Sequence, residues 1–311
     1  MRGKRMNCDF EKALVIAQKE FADHLWSPIF LSLLGTLIIA IFAVTYREVL
    51  QTELYSQIGQ IPVPSSAVLE GFYSTSLMMT WFGPLVGIAL SFDSVIKERK
   101  SASLNVLLTH PVFRDTIILG KMLGAVLLLL VVMLASSGIS LGTIILLLGA
   151  KVSAMELSRI AVWFILTFLY ALVFLGIGLV CSIYVREATD SLVYNIVIWL
   201  TLSIMFSWIL TFLSYSLEPV VSAGVQDITD SLLALSPMHH YAELSTGKTG
   251  LGWGAGGGSY GRDSMEGILD IRFTLAQWLK EFWTNLVVLF IAPLILLIAA
   301  YLKFLREDIS A

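Results

Sequence analysis

The sequence predicts an all-α, polytopic membrane protein with six transmembrane helices. Three observations carry that reading. Six long runs lack Asp, Glu, Lys and Arg, and the charged residues sit between them. The 311 residues are 57% hydrophobic and 14% charged, with mean hydropathy +0.83. Water-soluble domains carry about 25% charged residues, so this chain is too poor in charge to clothe a soluble surface. The net charge of −3 averages over two sides of a membrane and says little.

A bilayer-crossing helix needs about 20 apolar residues. The runs 25–46, 71–92, 122–150, 160–185, 191–217 and 282–302 meet that length. Backbone groups cannot stay unpaired in lipid, so helices are expected throughout. The third run is long enough to tilt or to extend past the bilayer, and the fifth carries the most polar residues.

Six spans place both termini on one side. Thirteen basic residues fall on that side: Arg2, Lys4, Arg5, Lys12, Lys19, Lys97, Arg99, Lys100, Arg114, Lys121, Arg186, Lys303 and Arg306. Seven fall on the other, four of them in one long connection. Positive charge marks the cytoplasmic side, so both termini are expected in the cytoplasm. The N-terminus lacks a short apolar core with a small-residue cleavage site, so no cleaved signal peptide is expected. Cys8 and Cys181 belong to different depths, which speaks against a disulfide, and two cysteines alone make no metal site.

Three segments lie outside the spans. In 7–25, Phe10, Leu14, Ala17, Phe21 and Leu25 recur at helical spacing, with Lys19 and Glu20 in the same segment. This predicts an amphipathic helix on the cytoplasmic membrane surface before the chain turns inward at Ser27-Pro28. The connection 93–121 is strongly charged at first. Leu104, Leu107 and Leu108 then form an i, i+3, i+4 patch, and Pro111 ends that helix. Asp115 is placed to cap the next one. A short helix with an apolar face, held between two spans, suits a groove on a soluble partner; a merely solvated basic loop explains it equally well on these residues alone. The connection 218–281 is too short for an enzyme domain and too long for a turn. Short outer helices at Ile228–Leu235 and Phe273–Lys280 are expected there. The whole chain, 1–311, reads as one domain.

The motifs resemble one family. Glu98-Arg99-Lys100-Ser101-Ala102-Ser103-Leu104, then Leu107-Leu108-Thr109-His110-Pro111-Val112-Phe113-Arg114 and Gly120-Lys121, resemble the pattern E-R-x-x-G-T-L-x-x-L-L-x-x-P-V-x-R followed by G-K. Ala102-Ser103 departs from its Gly-Thr step. Lys19-Glu20-Phe21 with Ser27-Pro28, and Leu235-Ser236-Pro237 through Tyr241, resemble two further signatures in the same order. These are features of type-2 ABC transporter permeases, the ABC exporter membrane subunits that include NosY-, NatB- and GldF-like proteins. The resemblance implies that 93–121 is a coupling helix seated in a separate cytoplasmic ABC ATPase subunit. Glu98, Arg99 and Ser101 would lie at that contact. Leu104, Leu107 and Leu108 would fill the groove, and Pro111 and Arg114 would set the exit angle. It also implies two ATPase copies, a second permease copy or a related permease, and ATP with magnesium held on the ATPase rather than on this chain. A prokaryotic plasma membrane suits such a protein. The partners expected are these subunits and membrane lipid, with no nucleic acid. The alternative is a membrane-anchored scaffold that recruits a soluble partner without transport.

Other matches are discounted. Ala242 through Thr249 fits a permissive phosphate-loop pattern, but no strand precedes it and it falls on the outer side. Gly252 through Gly257 fits G-x-G-x-x-G by composition alone. His239, His240 and Glu243 are too few for a metal site. The runs contain no ionisable Asp, Glu, Lys or Arg, which argues against proton coupling and intramembrane proteolysis. No catalytic residue is expected. An uncharged interior suits apolar cargo better than ions, but no substrate-binding residue can be assigned. Thr80, Ser136, Ser137, Ser140, Thr143, Asn195, Ser203, Ser207 and Asn285 are expected mostly to bond between helices, and Gly138, Gly142, Gly176 and Gly178 to let helices approach.

Overall fold

The computed structural model describes residues 2–57, 66–100, 114–149, 151–217, 231–247 and 267–306. Those residues are helical, with short connections and no strand among them. The helices are α1 (Arg2–Leu25), α2 (Pro28–Gln57), α3 (Ala67–Ser91), α4 (Ile96–Lys100), α5 (Arg114–Leu148) and α6 (Ala154–Tyr184). There follow α7 (Ala188–Leu200), a π-helical turn (Thr201–Met205), α8 (Phe206–Leu217), α9 (Pro237–Thr246) and α10 (Leu275–Arg306).

Five described helical stretches are long and apolar enough to cross a bilayer: Pro28–Gln51, Asp115–Leu148, Ala154–Tyr184, Ala188–Leu210 and Leu275–Arg306. The protein is therefore a multi-pass membrane protein. The remaining expected span, 71–92, falls in α3. That helix has 25 residues, but Ser74, Thr75, Ser76 and Thr80 dilute its apolar character. It tolerates them because it runs through the middle of the bundle, where other helices supply partners. The expected outer helix at Phe273–Lys280 is instead the first turn and a half of α10, which runs unbroken for 32 residues. The short helix described within 218–281 is α9, opened by Pro237 and closed at Gly247 with φ 67°.

α3 and α6 form the centre. Gly87 makes their closest approach possible: a Cβ there would sit 2.4 Å from the Ala171 carbonyl oxygen and 2.8 Å from the Leu175 nitrogen. α2 and α5 flank this pair, α10 covers α6, and α9 wedges among α3, α6 and α10. Pro84 lies inside α3 and cannot donate to the Thr80 carbonyl four residues back. The Tyr170 hydroxyl of α6 donates to that carbonyl instead, at 3.0 Å. Such repair is required where no water competes. α6 begins with a capping box: Ser153 Oγ accepts from the Glu156 amide, and Glu156 accepts from the Ser153 amide.

Candidate functional site

Connection 93–121 enters along the end of α6. The Val95 amide donates to Ser182 Oγ (2.9 Å), and Arg99 Nη2 donates to the Ile183 carbonyl (2.9 Å). Ser191 Oγ, at the start of α7, donates to the Phe92 carbonyl (2.6 Å). Lys97 pairs with Asp93 at 2.7 Å across one helical turn. The entry to the connection is thus tied to the end of α6 and the start of α7. Of the expected contact residues, Glu98 lies on α4 and Arg114 opens α5, though their side chains are outside the described residues. Ser101, Leu104, Leu107, Leu108 and Pro111 are outside them altogether. Asp115 lies in the first turn of α5, where its Oδ1 accepts from the Thr116 amide at 2.8 Å.

The connection leaves through α5, and α1 is fastened to that exit. Lys121 Nζ lies 2.6 Å from Glu20 Oε1, with both side chains buried. Around this pair the backbones nearly touch. A Cβ on Gly120 would meet Ile16 Cβ at 2.6 Å, and one on Gly124 would meet the Ala17 carbonyl at 2.9 Å. Small residues permit such approach, and the ion pair then fixes the register. His24 lies one turn on, its Nε2 3.8 Å from Glu20 Oε2. Burial, with Lys97 next in weight, holds His24 below its ordinary value and so neutral.

The stripe facing α5 differs from the one expected for the membrane surface. Ala13, Ala17, Glu20 and His24 are buried, whereas Leu14 and Lys19 are exposed and Phe21 is half-buried against the core. The side chain of Phe10 is outside the described residues. The large apolar residues mark a different face of α1 from the one that packs on α5. The small-x-x-x-small pairs Ala13/Ala17 and Gly120/Gly124 were the signal for the α1–α5 joint.

The interior holds hydroxyl clusters. Thr45, Thr75 and Ser140 join α2, α3 and α5, with Thr75 Oγ1 2.6 Å from Ser140 Oγ. Tyr241 of α9 reaches Ser76 at 3.2 Å and Thr167 at 3.0 Å, and stacks on Tyr170 with ring centres 4.6 Å apart. Many expected interhelical residues bond within their own helix instead: Thr80, Ser136, Ser137 and Thr143 donate to the carbonyl four residues back. That pairing is always within reach on a helix. Gly176 and Gly178 do admit neighbours, but nothing lies within 4 Å of a Cβ placed on Gly138 or Gly142.

Near the start of α6, buried Arg159 donates to the carbonyls of Ile268 (2.8 Å), Asp270 (2.7 Å) and Phe273. This carbonyl cage ties the lead-in to α10 onto α6. His240 Nδ1 lies 2.8 Å from Asn285 Oδ1 and its Nε2 2.7 Å from the Ala234 carbonyl, so α9 is pinned to α10. Burial beside His240 pushes His239 down to about 4. Among the described residues, no three His, Cys, Asp or Glu side chains gather as a metal group. Residues 242–247 close a helix instead of opening one, the reverse of what phosphate binding needs.

Residues 14–309 match the family described as ABC-2 family transporter protein. The chain is 28% identical over 267 residues to a Stutzerimonas stutzeri protein named "Probable ABC transporter permease protein NosY", covering 85% of this chain and 92% of that one. A Pseudomonas aeruginosa protein of the same name is 26% identical over 191 residues, covering 61% of this chain and 66% of that one.

Proposed function

The chain belongs to the ABC-2 family of transporter proteins, and from that premise we propose that it is the permease subunit of an ATP-driven exporter. It forms the membrane path, while a separate cytoplasmic ATPase binds and hydrolyses ATP with magnesium. The relatives named as permeases support the first part. The observation that carries the second is how 93–121 is held at both ends. Its entry is bonded to α6 through Val95 and Arg99, and its exit is locked to α1 through Lys121 and Glu20. A push on the segment between reaches α1, α5 and α6 together, with little lost in slack.

In this reading both termini and 93–121 face the cytoplasm, following the basic-residue count. Glu98, Arg99 and Ser101 meet the ATPase, and Leu104, Leu107 and Leu108 enter its groove. Two ATPase copies serve a pair of permeases, which together enclose a path for apolar or amphipathic cargo. ATP binding favours one arrangement of the pair and its loss favours the other, so the cycle is a population shift.

The test is co-purification in mild detergent from the native host, with wild type and with the Glu98→Lys, Leu107→Asp double variant. A soluble ATPase should accompany the wild type and be lost from the variant. If none accompanies the wild type under any condition, the coupling reading fails and the scaffold reading replaces it.

A further inference from the structure

The fifth span, formed by α7, the π-turn and α8, presents a polar line to the bundle interior. Ser191, Asn195, Trp199 and Ser203 recur every four residues and so share one face. Asn195 and Ser203 are buried, at 0% and 1% exposure. Asn195 Nδ2 donates to the Ser191 carbonyl at 2.8 Å. Its Oδ1, however, accepts nothing, and neither Trp199 Nε1 nor Ser203 Oγ makes a hydrogen bond. Ser203 lies beside the Tyr170 hydroxyl, whose proton is already given to Thr80.

Three buried polar atoms in a row are costly: each forfeits about 1–3 kcal/mol if left unpaired. The nearest hydroxyls are already engaged: Ser91 Oγ donates to the Gly87 carbonyl, and the Tyr170 hydroxyl beside Ser203 has given its proton to Thr80. Asn195 Oδ1 faces Gly178, where a Cβ would lie 3.6 Å away, and Trp199 meets Trp81 edge to face at 6.4 Å. The backbone is also irregular here. The π-turn occupies 201–205, and Ser236 Oγ donates to its Leu202 carbonyl at 2.7 Å. Inserted π-turns widen a helix and recur at functional positions.

We propose that this face binds a file of ordered water molecules between the fifth span and the α3–α6 core. Groups four residues apart on a helix lie roughly 6 Å apart. One water with two hydrogen bonds of about 2.8 Å spans that gap. A first water bridges the Asn195 acceptor and the Trp199 donor. A second links that first water to the Ser203 hydroxyl, which both donates and accepts. Water partners can be exchanged at small cost, whereas direct interhelical bonds fix one register. The file therefore lets the fifth span slide or turn against α3 and α6 without stranding a polar group. This inference concerns hydration of the resting protein and does not depend on the coupling reading.

X-ray hydroxyl-radical footprinting in lipid nanodiscs tests it, because radicals generated from bound water label the nearest side chains. The unmodified protein should show Trp199 oxidised although its Nε1 is shielded from bulk water. Asn195→Leu with Ser203→Ala should cut that labelling at least threefold while leaving Trp278, whose Nε1 donates to the Leu244 carbonyl at 3.1 Å, as before. The single variant Ser203→Ala serves where the double one fails to fold, with a partial loss expected. The melting temperature of folded variants should change little, since each polar group removed leaves together with the water that it holds. Unlabelled Trp199 in the wild type, or labelling unchanged in a folded variant, would overturn the water file.

Discussion

α6 and the fifth span are neighbours, both apolar enough to cross a bilayer, yet the bundle treats them differently. Of the most apolar stretch of each, 72% is buried within the protein for α6 and 12% for the fifth span. α6 starts in a capping box, receives α3 at Gly87 and repairs the Pro84 gap with Tyr170. The fifth span is interrupted by a π-turn, and three of its inward polar atoms, on Asn195, Trp199 and Ser203, find no protein partner. Being apolar enough to span does not make a helix a fixed post; the fate of each polar group separates the two. On this account α1, α3, α5 and α6 form a fixed block, and the fifth span is the part free to shift.

The block should be hardest to break at its α1–α5 joint. Removing one partner of a buried ion pair costs roughly 3–5 kcal/mol, so Lys121→Met should sharply lower the detergent melting temperature. The swap Glu20→Lys with Lys121→Glu should recover much of the loss. Gly87→Ala comes next, because overpacking against backbone costs about 1–3 kcal/mol and the Ala171 carbonyl cannot step aside. Val193→Ala on the exposed face of the fifth span is the contrast, expected within about 0.5 kcal/mol. Tyr170→Phe leaves the Thr80 carbonyl unpaired and should cost about 1 kcal/mol, near the range for bonds inside membrane bundles. Equal losses for Gly87→Ala and Val193→Ala in a melting series would erase the distinction.

The smallest effect is one of pH. His24 sits below its ordinary value of 6.5, chiefly through burial and then through Lys97, with Glu20 and Asp93 opposing. The folded protein therefore binds its proton less readily than the unfolded chain. The stability contributed by neutral His24 is full above about pH 6.5 and is lost as pH falls from there toward the folded value. His24→Gln should flatten that slope in melting curves taken across this window.

Much of this was legible in the sequence. Charge-free runs located the five apolar spans and the central helix α3, and Ser27-Pro28 marked the α1–α2 turn because proline is favoured at a helix start. What escaped were features set by tertiary neighbours. Glu20 and Lys121 are 101 residues apart, and no local pattern announces their pairing. The sequence reading gave Glu20 to the membrane surface because large apolar residues outweigh alanines in a helical stripe. The π-turn left no trace, since Thr201–Met205 is composed like any other span segment. Arg159 is one of the seven basic residues counted opposite the termini, and only the fold brings three carbonyls of 268–273 around it.

The most direct test is a pair of spin-label distances in the assembled transporter, measured without nucleotide and with ATP. One pair, at Leu157 and Leu146, reports on α6 against α5; the other, at Leu157 and Phe212, reports on α6 against the fifth span. All three sites are exposed. The account predicts an unchanged first distance and a second that shifts with ATP. A first distance that changes while the second holds still would contradict it.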